Sequence, residues 1–195
     1  MGKAGMNHFG TVRLETKRLV LRRFREEDAL PAFQNWESDE KVTEFLRWRP
    51  CKTIEETKDI LDYWIDSYRR PDFYQWAIIC KGGPDEPIGS ISAVEICERT
   101  AAVEIGYCIG RNWWNRGFVT EAFRGVIPFF FERVGANRIC AQHDPANPGS
   151  GRVMIKSGLR YEGTLRQADY SNRGIVDAAV YGILAKEYRP EDYGW

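Results

Sequence analysis

The stretch from residue 101 to residue 142 constrains the fold more than any other. Residues 101–109 read as a strand, 110–117 as a loop rich in glycine, asparagine and tryptophan, 118–133 as a helix and 138–142 as a short strand. Strand, loop, helix and strand in that order make a crossover unit, which lays its helix on one face of a sheet. Ala122, Phe123, Val126, Ile127, Phe130 and Phe131 supply the helix's buried side at helical spacing.

The rest of the chain extends that sheet on both sides. Residues 19–23 read as a first strand and 26–36 as an amphipathic helix with Pro31 near its start. Thr53 with Glu56 forms a capping box that opens a helix running to about residue 70, with Ile60, Leu61, Trp64, Ile65 and Tyr68 at helical spacing. Strands at 74–80, 87–94 and 101–109 predict an antiparallel meander, with a turn at 81–85. A short helix at 150–157 ends at Gly158, and strands at 161–167 and 177–184 close the chain across a turn at 171–174. The fold class is therefore α/β (α+β): a mixed, mostly antiparallel central sheet of about seven strands flanked by helices. Residues 1–11 read as a flexible N-terminal tail and 12–195 as a single domain.

Composition removes several function classes. Twenty-eight basic residues balance 28 acidic ones, so no global field draws the chain to nucleic acid or to an anionic membrane. A phosphate-bearing ligand must be held locally, by backbone amides or a few cations. The five cysteines are widely spaced with no C-x-x-C pair, the pattern of reduced thiols in a cytoplasmic protein. Residues 1–9 carry no apolar signal region, and the longest apolar run, 126–131, contains Pro128 and is far too short to span a bilayer. His8 and His143 are distant in sequence, so no zinc site is expected. A hydrolase built on Ser150, His143 and Asp144 lacks a nucleophile-elbow motif.

Three places carry the residue types chemistry needs. The loop at 110–117 precedes a helix, whose first turn offers unpaired amides and a positive dipole end. Asn115, Arg116, Gly117, Phe118, Val119 and Thr120 could cradle a diphosphate there, with Arg116 supplying charge; the plain alternative is a capped loop. Asn147-Pro-Gly-Ser150 follows a strand, where Asn147 can bond an extended amide chain and Ser150 can cap the helix or donate to a ligand. Glu104 lies in the strand before the loop, facing either solvent or a site.

Taken together, 104–109, 113–122 and 147–159, in this order and spacing, resemble the GNAT superfamily of N-acetyltransferases, in particular the branch with the ribosomal-protein N-terminal acetyltransferases. The opening 14–23 and closing 177–184 resemble that branch too. The resemblance implies the acyl-CoA acyltransferase fold, an acetyl-CoA cosubstrate and no metal. It implies a coenzyme A site made by Cys108, Ile109, Asn115, Arg116, Gly117, Phe118, Val119, Thr120, Asn147 and Arg152, with Lys156 as a further cation. Four positions depart from the usual motif: Trp114 where Arg or Gln is common, Asn115 where Gly is common, Val119 where Gly or Ala is common, and Met154 where many relatives carry a tyrosine that protonates the leaving thiolate.

The implied reaction is attack of a primary amine, at a peptide N-terminus or on a small molecule, on the thioester. Glu104 is the expected base and Ser150 the candidate donor to the leaving group. The alternative is a non-catalytic acyl-CoA-binding regulatory module of the same fold. Trp36, Trp48, Trp64, Trp76, Tyr63 and Tyr68 enrich the half where such folds build the acceptor pocket; Trp64 and Tyr68 read as core, and Trp48, between Arg47 and Arg49, as exposed. No nucleic-acid or membrane partner is expected, and homodimerisation is the default for an aromatic-rich chain of this size.

Overall fold

The computed structural model describes residues 5–194. Its strands form an eight-stranded sheet in the order β1-β2-β3-β4-β5-β6-β8-β7. These are β1 (Leu14–Glu15), β2 (Leu19–Arg22), β3 (Gln75–Cys80), β4 (Pro87–Cys97), β5 (Ala102–Ile109), β6 (Arg138–His143), β7 (Arg160–Ser171) and β8 (Gly174–Leu184). Every neighbouring pair is antiparallel except β5 and β6, the two strands of the crossover. The strand beyond the expected seven is β1, two residues long and visible only through its pairing with Leu21 and Val20.

The helices cover both faces. On one, α4 (Phe118–Pro128) presses Ala122, Phe123, Val126 and Ile127 onto Leu21, Ile78, Ile91, Val103 and Ile139, all fully or nearly fully buried. On the other, α1 (Ala29–Ala32), the turn after it, α2 (Glu40–Thr43) and α3 (Ile54–Ser67) pack Ala32, Trp36, Val42 and Leu61 over Ala77 and Ile79. Burial of each such large apolar side chain contributes roughly 2 kcal/mol.

Helix ends show where local chemistry won and where it did not. Thr53 caps α3, accepting from the Glu56 amide, but the Glu56 carboxylate reaches the Lys52 amide and not the cap residue's own. The helix expected over 118–133 keeps α geometry only to Pro128. Proline has no N–H to donate to the preceding turn, and a wider π turn, Phe129–Val134, takes over until Gly135 closes it. The helix expected over 26–36 is a 3-10 turn (Glu26–Asp28), then α1, then a π turn (Phe33–Glu37).

Of the expected N-terminal tail, residues 1–4 lie outside the described residues. Beyond them, the Asn7 amide donates to the Val134 carbonyl, His8 bonds Tyr74, and Thr11 is buried.

Candidate active site

A fork in the sheet creates the site. β5 and β6 pair over three positions only: Ala102 with Arg138, Val103 with Ile139, and Glu104 with Cys140. β5 then runs on to Ile109 and β6 to His143 without meeting. On its other side β5 stays bonded to β4 as far as Gly89 and Ile109, with a bulge near Val94 where Ala93 faces Ile105 and Glu95 faces Glu104. A bulge adds local twist and bends the pair, which helps β5 turn away from β6. Residues 105–109 therefore present one main-chain edge with no strand beside it. Gly89 keeps the β4–β5 side tight: a Cβ there would stand 2.3 Å from the Cys108 carbonyl oxygen.

The glycine-bearing loop closes the top of the fork. Asn115 and Gly117 both take positive φ, 59° and 75°; asparagine tolerates this geometry and glycine adopts it without strain. Gly117 is the N-cap of α4 and no side chain caps that turn. The first helical bond runs from the Glu121 amide to the Gly117 carbonyl, so the amides of Phe118, Val119 and Thr120 have no helical acceptors. Arg116 is exposed, and Val119 is buried in the core rather than lining the loop surface.

A brace that the local sequence does not reveal holds this turn. Glu121, 7% exposed, accepts from the Thr16 hydroxyl, the Arg18 amide and the Arg18 guanidinium, and Arg18 also donates to the Arg116 carbonyl and lies over the Phe118 ring. Those contacts hold the Glu121 carboxyl below its usual range, although burial pushes the other way. The one acidic group of the first turn is thereby engaged by the β1–β2 segment.

Glu104 is half-buried at the point where the fork opens. Burial raises its carboxyl above the usual value; Arg47 opposes this, while Glu95 and Asp169 add to it. Among the described residues no hydrogen bond acts on it, so its oxygens are available. Cys108 lies two pleats further along the same face. Its thiol meets the Ser90 hydroxyl at 3.3 Å, and burial pushes it up to about 12, so it is no thiolate nucleophile. Ile109 accepts the Trp114 indole N–H on its carbonyl.

Asn147 and Ser150 divide their work differently from the expectation. Asn147 is the N-cap of α5 (Pro148–Lys156), its amide oxygen accepting from the Ser150 N–H. Ser150 is thus not the cap, and its hydroxyl lies 2.9 Å from the Tyr107 hydroxyl. Arg152 and Lys156 are exposed on the same helix, and Met154 is buried in the core.

The far wall is a clamp between segments more than a hundred residues apart. Asn172, at the β7–β8 turn, donates its side-chain amide to the Thr43 and Trp48 carbonyls and its main-chain N–H to the Leu46 carbonyl. Arg47 makes a two-pronged pair with Asp169, at 2.8 and 3.0 Å, and Gln142 from β6 donates to the same carboxylate. Arg173 pairs with Asp144 and covers the Phe45 ring. Trp48, expected exposed, is partly buried against the α1–α3 cluster, whereas Trp36 and Trp76 are fully buried and Tyr63 is exposed. Among the described residues no cluster of His, Cys, Asp or Glu could hold a metal ion, and no helix is long and apolar enough to cross a membrane.

Comparison with known proteins agrees with this geometry. Residues 18–160 match the model of the acetyltransferase (GNAT) domain family. The chain is 31% identical to the uncharacterized N-acetyltransferase p20 of Bacillus licheniformis, over 90% of this chain and 97% of that one. It is 32% identical to the uncharacterized N-acetyltransferase YoaA of Bacillus subtilis, over 88% and 96%. The solved structure of RimL, a ribosomal L7/L12 alpha-N-protein acetyltransferase in complex with coenzyme A, superposes with a TM-score of 0.78 at 21% identity, covering 89% of this chain and 98% of that one. The chain belongs to the GNAT family of acetyltransferases, enzymes that use acetyl-CoA as acyl donor.

Proposed function

We propose that this enzyme acetylates a primary amine, on a peptide N-terminus or a small molecule, by direct attack of the amine on acetyl-CoA. The observation that carries this reading is the half-buried, unpaired Glu104 carboxylate beside the free main-chain edge of residues 105–109. The amides of Phe118, Val119 and Thr120, with Asn115, Arg116 and Gly117, receive the diphosphate; helix dipole and open N–H groups favour the anion together. The free edge of residues 105–109, ending at the Ile109 N–H beside Cys108, holds the pantetheine arm, and Asn147 and Arg152 flank it at the start of α5.

A protonated amine has no lone pair, and an α-amine titrates near 8 or a lysine near 10.4, so attack requires a base. Glu104, raised by its surroundings, takes that proton. A main-chain N–H of the free edge stabilises the tetrahedral oxyanion. The sulfur leaves as a thiolate whose parent pKa is about 8.5, so hydrogen-bond donation from Ser150 suffices in place of a strong acid.

The test is Glu104→Gln, with turnover followed as thiol release and coenzyme A binding by calorimetry. Turnover should fall by about a hundredfold or more while affinity stays unchanged; full turnover in that variant removes Glu104 from the reaction. RimL acetylates a protein α-amine, so a peptide N-terminus is the first acceptor to try. The clamp at residues 43–48 and 169–173 narrows one approach to Glu104, which keeps small amines in the panel. Comparing kcat/KM for the two classes decides between them.

A further inference from the structure

We propose that Tyr107 is a positioning residue for the leaving-group side of the reaction, its part-buried hydroxyl controlling whether the Ser150 proton is free to meet the departing sulfur. The inference rests on the assignment of Ser150 above and extends it to a residue with no motif of its own.

Tyr107 lies on β5 three residues past Glu104. Side chains alternate along a strand, so the two project to opposite faces at the fork. Glu104 projects to the face of α1–α3 and of the Arg47–Asp169 clamp. Tyr107 projects to the face of α4 and α5, with its ring 5.7 Å from Phe123. An acyl group held in the opening between β5 and β6 would have its proton acceptor on one side and the Tyr107–Ser150 pair on the other. Addition and then elimination at a carbonyl carbon use one group that accepts a proton and another that donates to the leaving sulfur, and that division supplies both.

The hydroxyl geometry supplies the mechanism. Tyr107 Oη stands 3.1 Å from the Ser150 carbonyl oxygen and 2.9 Å from Ser150 Oγ, and it has one proton for two acceptors. When it donates to the carbonyl, its oxygen accepts from Ser150, and the serine proton is occupied. When it donates to Oγ, the serine proton is free to point into the fork. Negative charge growing on sulfur favours the second arrangement, because two aligned donors in series strengthen one another. Burial pushes the Tyr107 phenol well above its usual range, so it donates without ionising.

The proton and electron count closes without a new reactant. The ammonium first gives one proton to solvent through Glu104; the neutral nitrogen then bonds to the carbonyl carbon and gives a second proton to Glu104, which returns it to solvent. The carbon–sulfur bond breaks, its electron pair stays on sulfur, and Ser150 donates a hydrogen bond to that thiolate. Solvent protonates the released thiolate as far as pH dictates; Tyr107 and Ser150 end as they began.

The experiment is a double-mutant cycle of Tyr107→Phe and Ser150→Ala, read as kcat and KM for acetyl-CoA with a peptide or small-amine acceptor. The dissociation constant for coenzyme A, the pH profile and a thermal melt accompany it. Tyr107→Phe removes one oxygen from a ring that keeps its packing. It should lower kcat about fivefold, the worth of one hydrogen bond, with KM and coenzyme A affinity changed by less than about twofold. The acid limb of the pH profile, set by Glu104, should not move. Added to Ser150→Ala, it should cost nothing further, since the group it positions is gone. A kcat unchanged by Tyr107→Phe while Ser150→Ala is slow overturns the inference and leaves the proposed function standing. Losses that multiply in the double variant, or a shifted acid limb, show a general disturbance of the fork and overturn it as well. Full activity in Ser150→Ala overturns both the role of Ser150 and the inference built on it.

Discussion

Glu37 should make this protein less stable as the pH rises through neutrality. It ends the π turn after α1, is 2% exposed, and accepts from the Trp36 indole N–H at 2.6 Å and the Cys51 thiol at 3.8 Å. Among the described residues no cation pairs with it, so burial dominates those two bonds and raises its carboxyl from an ordinary 4.5 to about 7. The sign follows from proton counting. Between about pH 4.5 and 7 the folded chain holds this proton and the unfolded chain has lost it, so stability is fully present below pH 4.5 and falls as pH rises. A difference of about 2.5 pH units at 1.36 kcal/mol each amounts to about 3 kcal/mol, lost by pH 8. Glu37→Gln keeps an acceptor for Trp36 and does not titrate. Urea unfolding of both proteins at intervals from pH 5 to 9 isolates the effect, because every other titration cancels in their difference. The variant should gain on the wild type by about 2.5 kcal/mol across that range, or roughly 1.3 M in midpoint for a slope near 2 kcal/mol/M. Parallel stability curves would refute the reasoning, since they would mean Glu37 is ionised at no cost in the fold or is solvated there.

Other perturbations probe the site itself. Gly89→Ala drives a methyl into the Cys108 carbonyl; it should destabilise by about 1–3 kcal/mol and weaken coenzyme A binding in calorimetry, as the 108–109 edge shifts. Arg18→Ala removes the brace from Glu121 and from the Arg116 carbonyl; it should cost about 1 kcal/mol in urea unfolding and raise the acetyl-CoA KM more than it lowers kcat. Arg47→Gln removes the charge that opposes the upward shift of Glu104; the acid limb of kcat/KM should move to higher pH, which a pH–rate profile reads directly.

What the sequence determined was local. Periodicity placed α3, α4 and six of the longer strands within a few residues, because burial of a stripe or an alternating face leaves its record in successive side chains. Turn chemistry marked the loop at 110–117, where Gly117 indeed takes a left-handed conformation ahead of a helix. Proline at 128 carries its own signal, a missing donor, and α geometry gives way to the π turn there. The candidate residues form a pattern along the chain, and in the fold Glu104 and Ile109 lie on β5 at the fork, the 115–120 turn follows it, and Ser150 meets Tyr107 from α5.

Only the tertiary structure decided the rest. β1 exists because Leu14 and Glu15 find Leu21 and Val20, since two residues have no propensity that could specify a strand. Arg18 and Glu121, Arg47 and Asp169, Asn172 and the Thr43 carbonyl, and Tyr107 and Ser150 are separated by 103, 122, 129 and 43 positions. No periodicity connects residues so far apart. Such pairs are fixed by chain closure, and their stabilisation appears only after the sheet has paid the entropy of bringing distant segments together. The extent of the fork has the same origin: whether β5 and β6 part after three pairs depends on twist accumulated from β4 and on the helices packed against both faces, which neither strand encodes alone.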